Sequence, residues 1–341
     1  MKMERYKVVF TTERGHRHQQ AALDAAPAAL DITMLRQPDR DTLVSYLRDA
    51  DYLISERAGK IDAGLIQSAP KLKLILRLGS LTYDIDLDAA RQAGVAVCYW
   101  PVLTVIRVAE HMVMQMLALS KKLVESEAVA LNAGGEWGPS RRTDEDTFAY
   151  NWSSRQEVEG LWSKTVGILG FGEIGVELAR RLQGFGCTVF YNKRRRLPQP
   201  VELEFGLKYV DRDTLISQSD YVANLLPYFA ETDGLIGAHL IGKMKDGAFL
   251  ASCGSGSVID EAALAAAIRS GKLGGAALDT FEWEPIKPDN PLIQLANEKF
   301  NVLLTPHIAA GAEAAARVGR VGDYFNIVNH IEGKPLRFQL V

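Results

Sequence analysis

The chain has 341 residues, 47% of them hydrophobic and 24% charged, and its 39 basic side chains nearly balance 42 acidic ones for a net charge of −3. That length suits two domains rather than one core, and the near-neutral balance leaves no global field for nucleic acid or an anionic membrane, so neither is expected as a partner. Three scattered cysteines (Cys98, Cys187, Cys253) argue against a disulfide framework or a CxxC zinc site. No metal is expected; the absence of an apolar leader and of any run near the roughly 18 apolar residues of a membrane span reads as cytoplasmic.

In chain order, short apolar runs alternate with helical patterns. Lys7–Thr11, Asp31–Leu35, Tyr52–Ser55, Leu72–Leu78 and Val95–Cys98 read as buried strands, with helices around Gln19–Ala26, Arg40–Ala50, Ala63–Ala69 and Asp86–Ala93 between them. A long helix is expected over Val105–Asn132. The stretch from Ala133 to Lys164 breaks the pattern with Trp137, Trp152, Trp162 and the charged run RRTDED. Three tryptophans are costly to leave in water, which favours a subunit contact over a surface excursion. Alternation then resumes, with strands at Thr165–Leu169, Thr188–Tyr191, Tyr221–Leu225, Ala248–Ser252, Gly275–Leu278 and Val302–Leu304, and a last helix over Ala310–Glu332. Continuous apolar strands alternating with helices specify an α/β protein of two Rossmann-like domains, each a parallel sheet with helices on both faces.

Residues 165–193 carry the clearest chemistry. The strand TVGIL leads into Gly170-Phe-Gly172-Glu173-Ile174-Gly175, then an amphipathic helix with Ile174, Leu178, Leu182 and Phe185 at helical spacing, then a second strand. Gly170 serves the tight turn, Gly172 the close approach of backbone to pyrophosphate, and Gly175 the helix–strand packing, while the helix N-terminus offers unpaired N–H groups to the phosphates. A lone GxGxxG is weak; strand, turn, helix and strand in order make it strong. An NAD enzyme places a carboxylate at the end of the second strand to hold the ribose diol. Here the chain reads Asn192-Lys193-Arg194-Arg195-Arg196, with no acid to repel a 2′-phosphate and four cations to pair with one. A basic run after a strand can also be a solvated turn, but its position favours NADP, with NAD left open.

These residues, with Val108-Ala-Glu-His111, Asn224-Leu-Leu226-Pro227, Met244-Lys-Asp-Gly-Ala248, Val258-Ile-Asp-Glu-Ala262, Asp279-Thr-Phe-Glu-Trp-Glu284-Pro and Thr305-Pro-His307-Ile-Ala, resemble the D-isomer-specific 2-hydroxyacid dehydrogenases. Within them the likeness is to the glyoxylate/hydroxypyruvate reductase-like members. The resemblance implies a flavodoxin-like substrate-binding domain of residues 1–105 plus 310–341. It implies a cofactor domain of 106–309 with a dimerisation arm about 120–164, a catalytic cleft along the hinge, and a homodimer. It implies contacts to the dinucleotide from the glycine turn, Asn192 to Arg195, Leu226, Pro227, Asp279 and His307. His307 matches the acid/base of the family and Glu284 its carboxylate partner; Asp279 matches the residue facing the nicotinamide. The small-molecule substrate would be a 2-oxo or 2-hydroxy acid.

Two positions depart from the family. Where its arginine precedes a glycine and a VVDE-like helix start, this chain has Ser255, in Ser252-Cys-Gly-Ser255-Gly-Ser-Val-Ile-Asp260. That arginine would clamp the substrate carboxylate, and losing one such donor typically costs about 10²–10³ in rate. Three readings stay open: a substitute cation (Arg57, Arg77 or Arg107), a carbonyl substrate without a carboxylate, or a cofactor-binding regulatory or catalytically weakened member. In the loop that would bind carboxylate through backbone N–H groups, Gly79-Ser80-Leu81, leucine stands where the family has a second glycine and is expected to narrow the pocket.

Overall fold

The computed structural model describes residues 5–56, 59–147, 150–311 and 320–341. Apolar strands between capped helices pair in parallel throughout, giving one sheet in each of two compact units, Met1–Arg107 with Ala310–Val341, and Val108–Ala309.

The first unit holds β1 (Tyr6–Thr12), β2 (Leu30–Arg36), β3 (Tyr52–Glu56), β4 (Leu74–Leu78) and β5 (Ala96–Trp100) in the order β2-β1-β3-β4-β5. Every residue of β3 and β4 is buried, as strands covered on both faces require. Three of its helices begin at an aspartate whose side chain accepts a backbone N–H of the first turn: Asp39 from Thr42, Asp62 from Leu65 and Asp86 from Ala89. The C-terminal tail lies antiparallel along β5, with Leu340 N–H donating to Val97 (2.8 Å) and Tyr99 N–H to Phe338 (3.1 Å), so the edge of the sheet is covered.

The second unit holds β6 (Thr165–Leu169), β7 (Thr188–Asn192), β8 (Leu207–Tyr209), β9 (Tyr221–Asn224), β10 (Ala248–Ser252), β11 (Leu273–Leu278) and β12 (Val302–Leu304), ordered β12-β11-β10-β9-β6-β7-β8. The first six strands in sequence follow the doubly wound dinucleotide-fold order, with β12 added beyond β11, and the order reverses between β6 and β9. Leu215, Val222, Leu250, Leu264, Leu278 and Leu292 lie in the buried core of this unit.

Four expectations need correction. The helix expected over Val105–Asn132 is two, Leu103–Ser120 and Leu123–Leu131, because Lys122 takes left-handed backbone (φ +46°) within the polar run Ser120-Lys-Lys122. Leu103–Ser120 is 18 residues with mean hydropathy 1.2, long and apolar enough to cross a bilayer, against the expectation that no stretch would be; half of it is buried inside the fold. β8 is an extra strand, only Leu-Lys-Tyr, too short to show a period. Of the helix expected over Ala310–Glu332, residues 312–319 lie outside the described residues; Ala310 and Gly311 are not helical, Arg320 and Val321 are, and a 3₁₀ turn at Gly322–Tyr324 then interrupts the path to an α-helix over Phe325–Ile331.

Two glycines of this unit predict opposite responses to alanine. A Cβ on Gly275 (φ +155°) would lie 2.2 Å from the Asn301 carbonyl oxygen between β11 and β12, whereas one on Gly184, the last residue of its helix, meets nothing within 4 Å. Gly275→Ala is expected to destabilise by about 1–3 kcal/mol and Gly184→Ala to stabilise by about 0.5–1 kcal/mol. Thermal denaturation with Tm shifts of the same sign for both would contradict this packing.

Candidate active site

β6 delivers the chain into the glycine turn. Gly170 takes φ +83°, and a Cβ there would come within 2.8 Å of the Leu225 carbonyl carbon and the Leu226 nitrogen. Two constraints therefore require glycine: left-handed backbone and the close approach of the loop after β9. Gly175 packs face-on to Phe171, whose ring would lie 3.0 Å from an added Cβ. Gly172, the N-cap of the helix Glu173–Gly184, is different, since nothing lies within 4 Å of its Cβ position. Internal packing explains the first two glycines and not the third. Open space at a helix N-terminus is what a bound pyrophosphate needs, so these residues fit a dinucleotide. Glu173 is buried and Ile174 half-buried behind the turn.

The basic run does not act as one patch. Asn192 accepts the Gly170 N–H through its carbonyl (3.1 Å) and donates its amide to Val210 (2.8 Å). Burial pushes the Lys193 ammonium below its ordinary pKa, opposed by the Glu173 carboxylate. The Arg194 guanidinium lies 5.3 Å over the Phe229 ring, and Arg195 is exposed. Arg196 is exposed but committed, bidentate to the buried Glu202 (2.8 and 2.7 Å), whose Oε1 also accepts the Tyr191 hydroxyl (2.6 Å). Three cations of the run are left at the end of β7.

The strand ends on the other side of the reversal carry a cluster of carboxylates and histidines. Asp279, fully buried just past β11, accepts the Thr305 hydroxyl (2.6 Å) and the Ile308 N–H (3.0 Å) on Oδ1, and the Ala309 N–H (2.8 Å) on Oδ2. These bonds hold the turn after β12, in which His307 takes φ +54°. His307 Nδ1 lies 2.6 Å from Glu284 Oε2, while Glu284 Oε1 accepts the Phe281 N–H (3.1 Å). His111 reaches the same turn from the helix Leu103–Ser120, with Nε2 3.0 Å from Thr305 Oγ1 and 3.5 Å from Asp279 Oδ1; burial holds its pKa below the ordinary imidazole value, against the pull of Asp279.

Ser255 follows β10 between two glycines that cannot change. A Cβ on Gly254 would meet the Leu226 oxygen at 2.8 Å, and one on Gly256 would overlap the Phe281 carbonyl at 1.9 Å. The Ser255 N–H donates to Leu226 (2.8 Å), and the Leu226 N–H to Asn224 Oδ1 (3.1 Å), just ahead of Pro227. Position 255 is thus the member of Gly254-Ser255-Gly256 with room for a side chain, and it is half-buried. His111, Cys253 and Asp279 bring donor atoms within 4.8 Å of one another. Asp279 is already committed to the turn, and burial and Asp279 drive the Cys253 thiol far above its ordinary pKa. The hydrogen bonds of His111 and Asp279 to Thr305, Ile308 and Ala309 make this cluster a support for the turn after β12.

In the first unit, Gly79 takes φ +118° and its N–H donates to Trp100 (2.9 Å). Ser80 is half-buried. Leu81 is buried and its carbonyl accepts from Arg77 Nη1 (3.0 Å); Arg77 Nη2 pairs with Asp84 (2.9 Å). Arg77 is therefore a brace for this loop. Arg107 packs its guanidinium against Gly311, and Arg57 lies outside the described residues. A cavity of about 470 Å³ lies at the opposite, N-terminal ends of β6 and β9 to β12, with Lys122, Lys164 and Lys245 paired to Glu157, Glu159 and Asp220. Its matched charges and its place away from the glycine turn set it apart from the chemistry. The sequence reading missed roles for His111, Thr305 and Glu202. The signal for the first was present: His111 and Gln115 stand four residues apart in a largely apolar helix, hence on one face.

Residues 113–309 match the family model for the D-isomer specific 2-hydroxyacid dehydrogenase, NAD binding domain. The chain is 35% identical over 316 residues to D-3-phosphoglycerate dehydrogenase of Archaeoglobus fulgidus, a match covering 90% of this chain and 54% of the relative, so the chain spans about half that protein's length. It is 34% identical over 281 residues to glyoxylate reductase of Thermococcus litoralis, covering 82% and 80% of the two chains. Among solved structures it is similar to a glyoxylate reductase from Paecilomyes thermophila, with TM-score 0.53, 26% identity, and 99% and 98% of the chains covered.

The contrast between Gly170 and Gly172 gives a direct check. Gly172→Ala should fold with unchanged Tm yet bind nicotinamide dinucleotide at least about tenfold more weakly, as one lost close phosphate contact would cause. Gly170→Ala should lower Tm. Titration calorimetry showing unimpaired binding by Gly172→Ala would mean that the open space there is not the pyrophosphate site.

Proposed function

The chain belongs to the D-isomer-specific 2-hydroxyacid dehydrogenase family, and from that premise we propose that it is an NADP(H)-dependent oxidoreductase acting on a small 2-oxo or 2-hydroxy acid or a related carbonyl compound. The observation that carries this reading is the His307–Glu284 pair at 2.6 Å, on strand ends of the same sheet that bears the glycine turn. When bound, the dinucleotide supplies or accepts the hydride. With Nδ1 held by Glu284, His307 has Nε2 free to give a proton to the carbonyl oxygen or take one from the hydroxyl. Lys193, Arg194 and Arg195, with no carboxylate at the end of β7, support a 2′-phosphate and hence NADP over NAD. The glycine turn, Leu226 and Pro227 would line the dinucleotide, with Asp279 behind the nicotinamide. Residues 1–105 with 310–341 would form the substrate-binding domain and 106–309 the cofactor domain.

Ser255 stands where the family's arginine would polarise the carbonyl. Arg77 is spent on Asp84 and the Leu81 carbonyl, which weakens the substitute-cation reading and favours a changed carbonyl substrate. The same serine favours the second reading, a cofactor-binding member with weak turnover. A homodimer is supported by the helix Leu123–Leu131, which has no buried residue although six of its nine side chains are apolar, and by Tyr150 and Trp162, which are exposed.

NADPH oxidation followed over glyoxylate, hydroxypyruvate, phenylpyruvate and non-acid aldehydes tests the reading. Tight NADPH binding without oxidation of any carbonyl would sink the enzyme and leave the binding protein. His307→Asn is expected to lower kcat by about 10²–10⁴. Lys193→Ala with Arg194→Ala should raise KM for NADPH by about 10–100-fold while sparing NADH; equal losses for both cofactors would contradict the NADP assignment. Ser255→Arg should raise activity on 2-oxo acids if the missing clamp is what limits them.

A further inference from the structure

Resting on the reading of His307 as the acid/base, we infer that His111 is a positioning residue that acts through Thr305 to hold the turn presenting His307. The hydrogen-bond directions follow from proton counting. The Thr305 hydroxyl has one proton, and the 2.6 Å contact to Asp279 Oδ1 takes it, because a carboxylate can only accept. Thr305 Oγ1 must then accept at its 3.0 Å contact with His111, so His111 carries its proton on Nε2. A chain of donors therefore runs from His111 to Thr305 to Asp279, and Asp279 in turn takes the N–H groups of Ile308 and Ala309, the two residues that follow His307. His307, between Thr305 and Ile308, is a non-glycine residue at φ +54°. Left-handed backbone persists in such a residue only where its surroundings over-determine it. His111 is anchored independently of the turn, on a helix whose next inward polar residue, Gln115, is fully buried and donates to the Ser252 carbonyl (3.4 Å). It thereby ties the histidine turn to a rigid element.

The test uses the full-length protein with Thr305→Val and His111→Leu, which break the chain, and Thr305→Ser and His111→Gln, which can restore a hydrogen bond. Thr305→Val is nearly isosteric, so it keeps the test open if His111→Leu folds poorly. Breaking the chain should lower kcat about 10²-fold, the scale set by a misplacement of about 1 Å. It should also flatten the histidine limb of the kcat–pH profile and leave the NADPH Kd nearly unchanged; the conservative variants should recover most of the loss. Unchanged kcat in Thr305→Val, or a loss of NADPH affinity equal to the loss of kcat, would overturn the inference. Crystal structures of the same variants supply a readout independent of turnover. The His307–Glu284 contact should open in Thr305→Val and close again in Thr305→Ser. A contact intact in Thr305→Val overturns the inference, whereas one that opens in a protein without carbonyl reduction supports the positioning role and removes only the functional reading.

Discussion

Strand order in the sheet of residues 108–309 reverses between β6 and β9, and connections from these two neighbours leave in opposite directions because each crossover is right-handed. The reversal opens a crevice above the carboxyl ends of the strands that no helix can fill, which is where open α/β sheets bind ligands. Contact between Gly170 and the backbone of Leu225 and Leu226 closes the floor of that crevice. Gly172, Lys193, Ser255, Asp279, Glu284 and His307 each follow the end of β6, β7, β10, β11 or β12. One topological constraint thus brings together residues spread over more than a third of the chain, and each needs only a short loop to reach it.

Holding His307 in place costs energy that its surroundings must offset. A side chain forced into left-handed backbone costs about 1–2 kcal/mol. Against this stand the three bonds accepted by Asp279, each worth about 0.5–1.5 kcal/mol net, on a carboxylate that is itself fully buried. The clamp therefore outweighs the strain. It also restricts what Asp279 can do: Oδ1 accepts two donors and Oδ2 one, so any contact to a bound nicotinamide would fall to Oδ2. Glu284 is held by the Phe281 N–H, so both members of the 2.6 Å pair are positioned from the backbone of the turns after β11 and β12.

The alternation of strands and helices was legible because buried parallel strands read as continuous apolar runs and the glycine turn has a fixed spacing. What escaped was either too short or too distant. β8 has three residues, and the break at Lys122 rests on a single left-handed residue within a pattern that stays apolar on both sides. His111 and Thr305 are 194 positions apart, and no local periodicity pairs them. The basic run was legible as four cations, but not its division. Arg196 is paired with Glu202, six residues on, where a short helix hands a carboxylate to Tyr191. The membrane-span expectation failed for a related reason: a core helix such as Leu103–Ser120 needs apolar residues on much of its surface, and composition alone does not separate that from a span.

On the proposed correspondence of Ser255 to the family's arginine, the replacement changes charge without changing backbone. Gly254 and Gly256 are pinned against Leu226 and Phe281, so the loop keeps its course whatever stands between them, and the His307–Glu284 pair and the glycine turn are untouched. The consequence depends on the substrate. A 2-oxo acid brought beside Ser255 would trade water around its carboxylate for one short neutral hydroxyl, and a carboxylate left without a charged partner pays a desolvation penalty larger than a single neutral hydrogen bond returns. A carbonyl compound without that group carries no such penalty and still meets the same proton donor. On that proposal the serine would weaken the hold on a substrate carboxylate while leaving the proposed proton transfer at His307 in place, so a change on the substrate side, within the proposed class of 2-oxo acids and related carbonyl compounds, would fit the retained and replaced residues better than a general loss of chemistry.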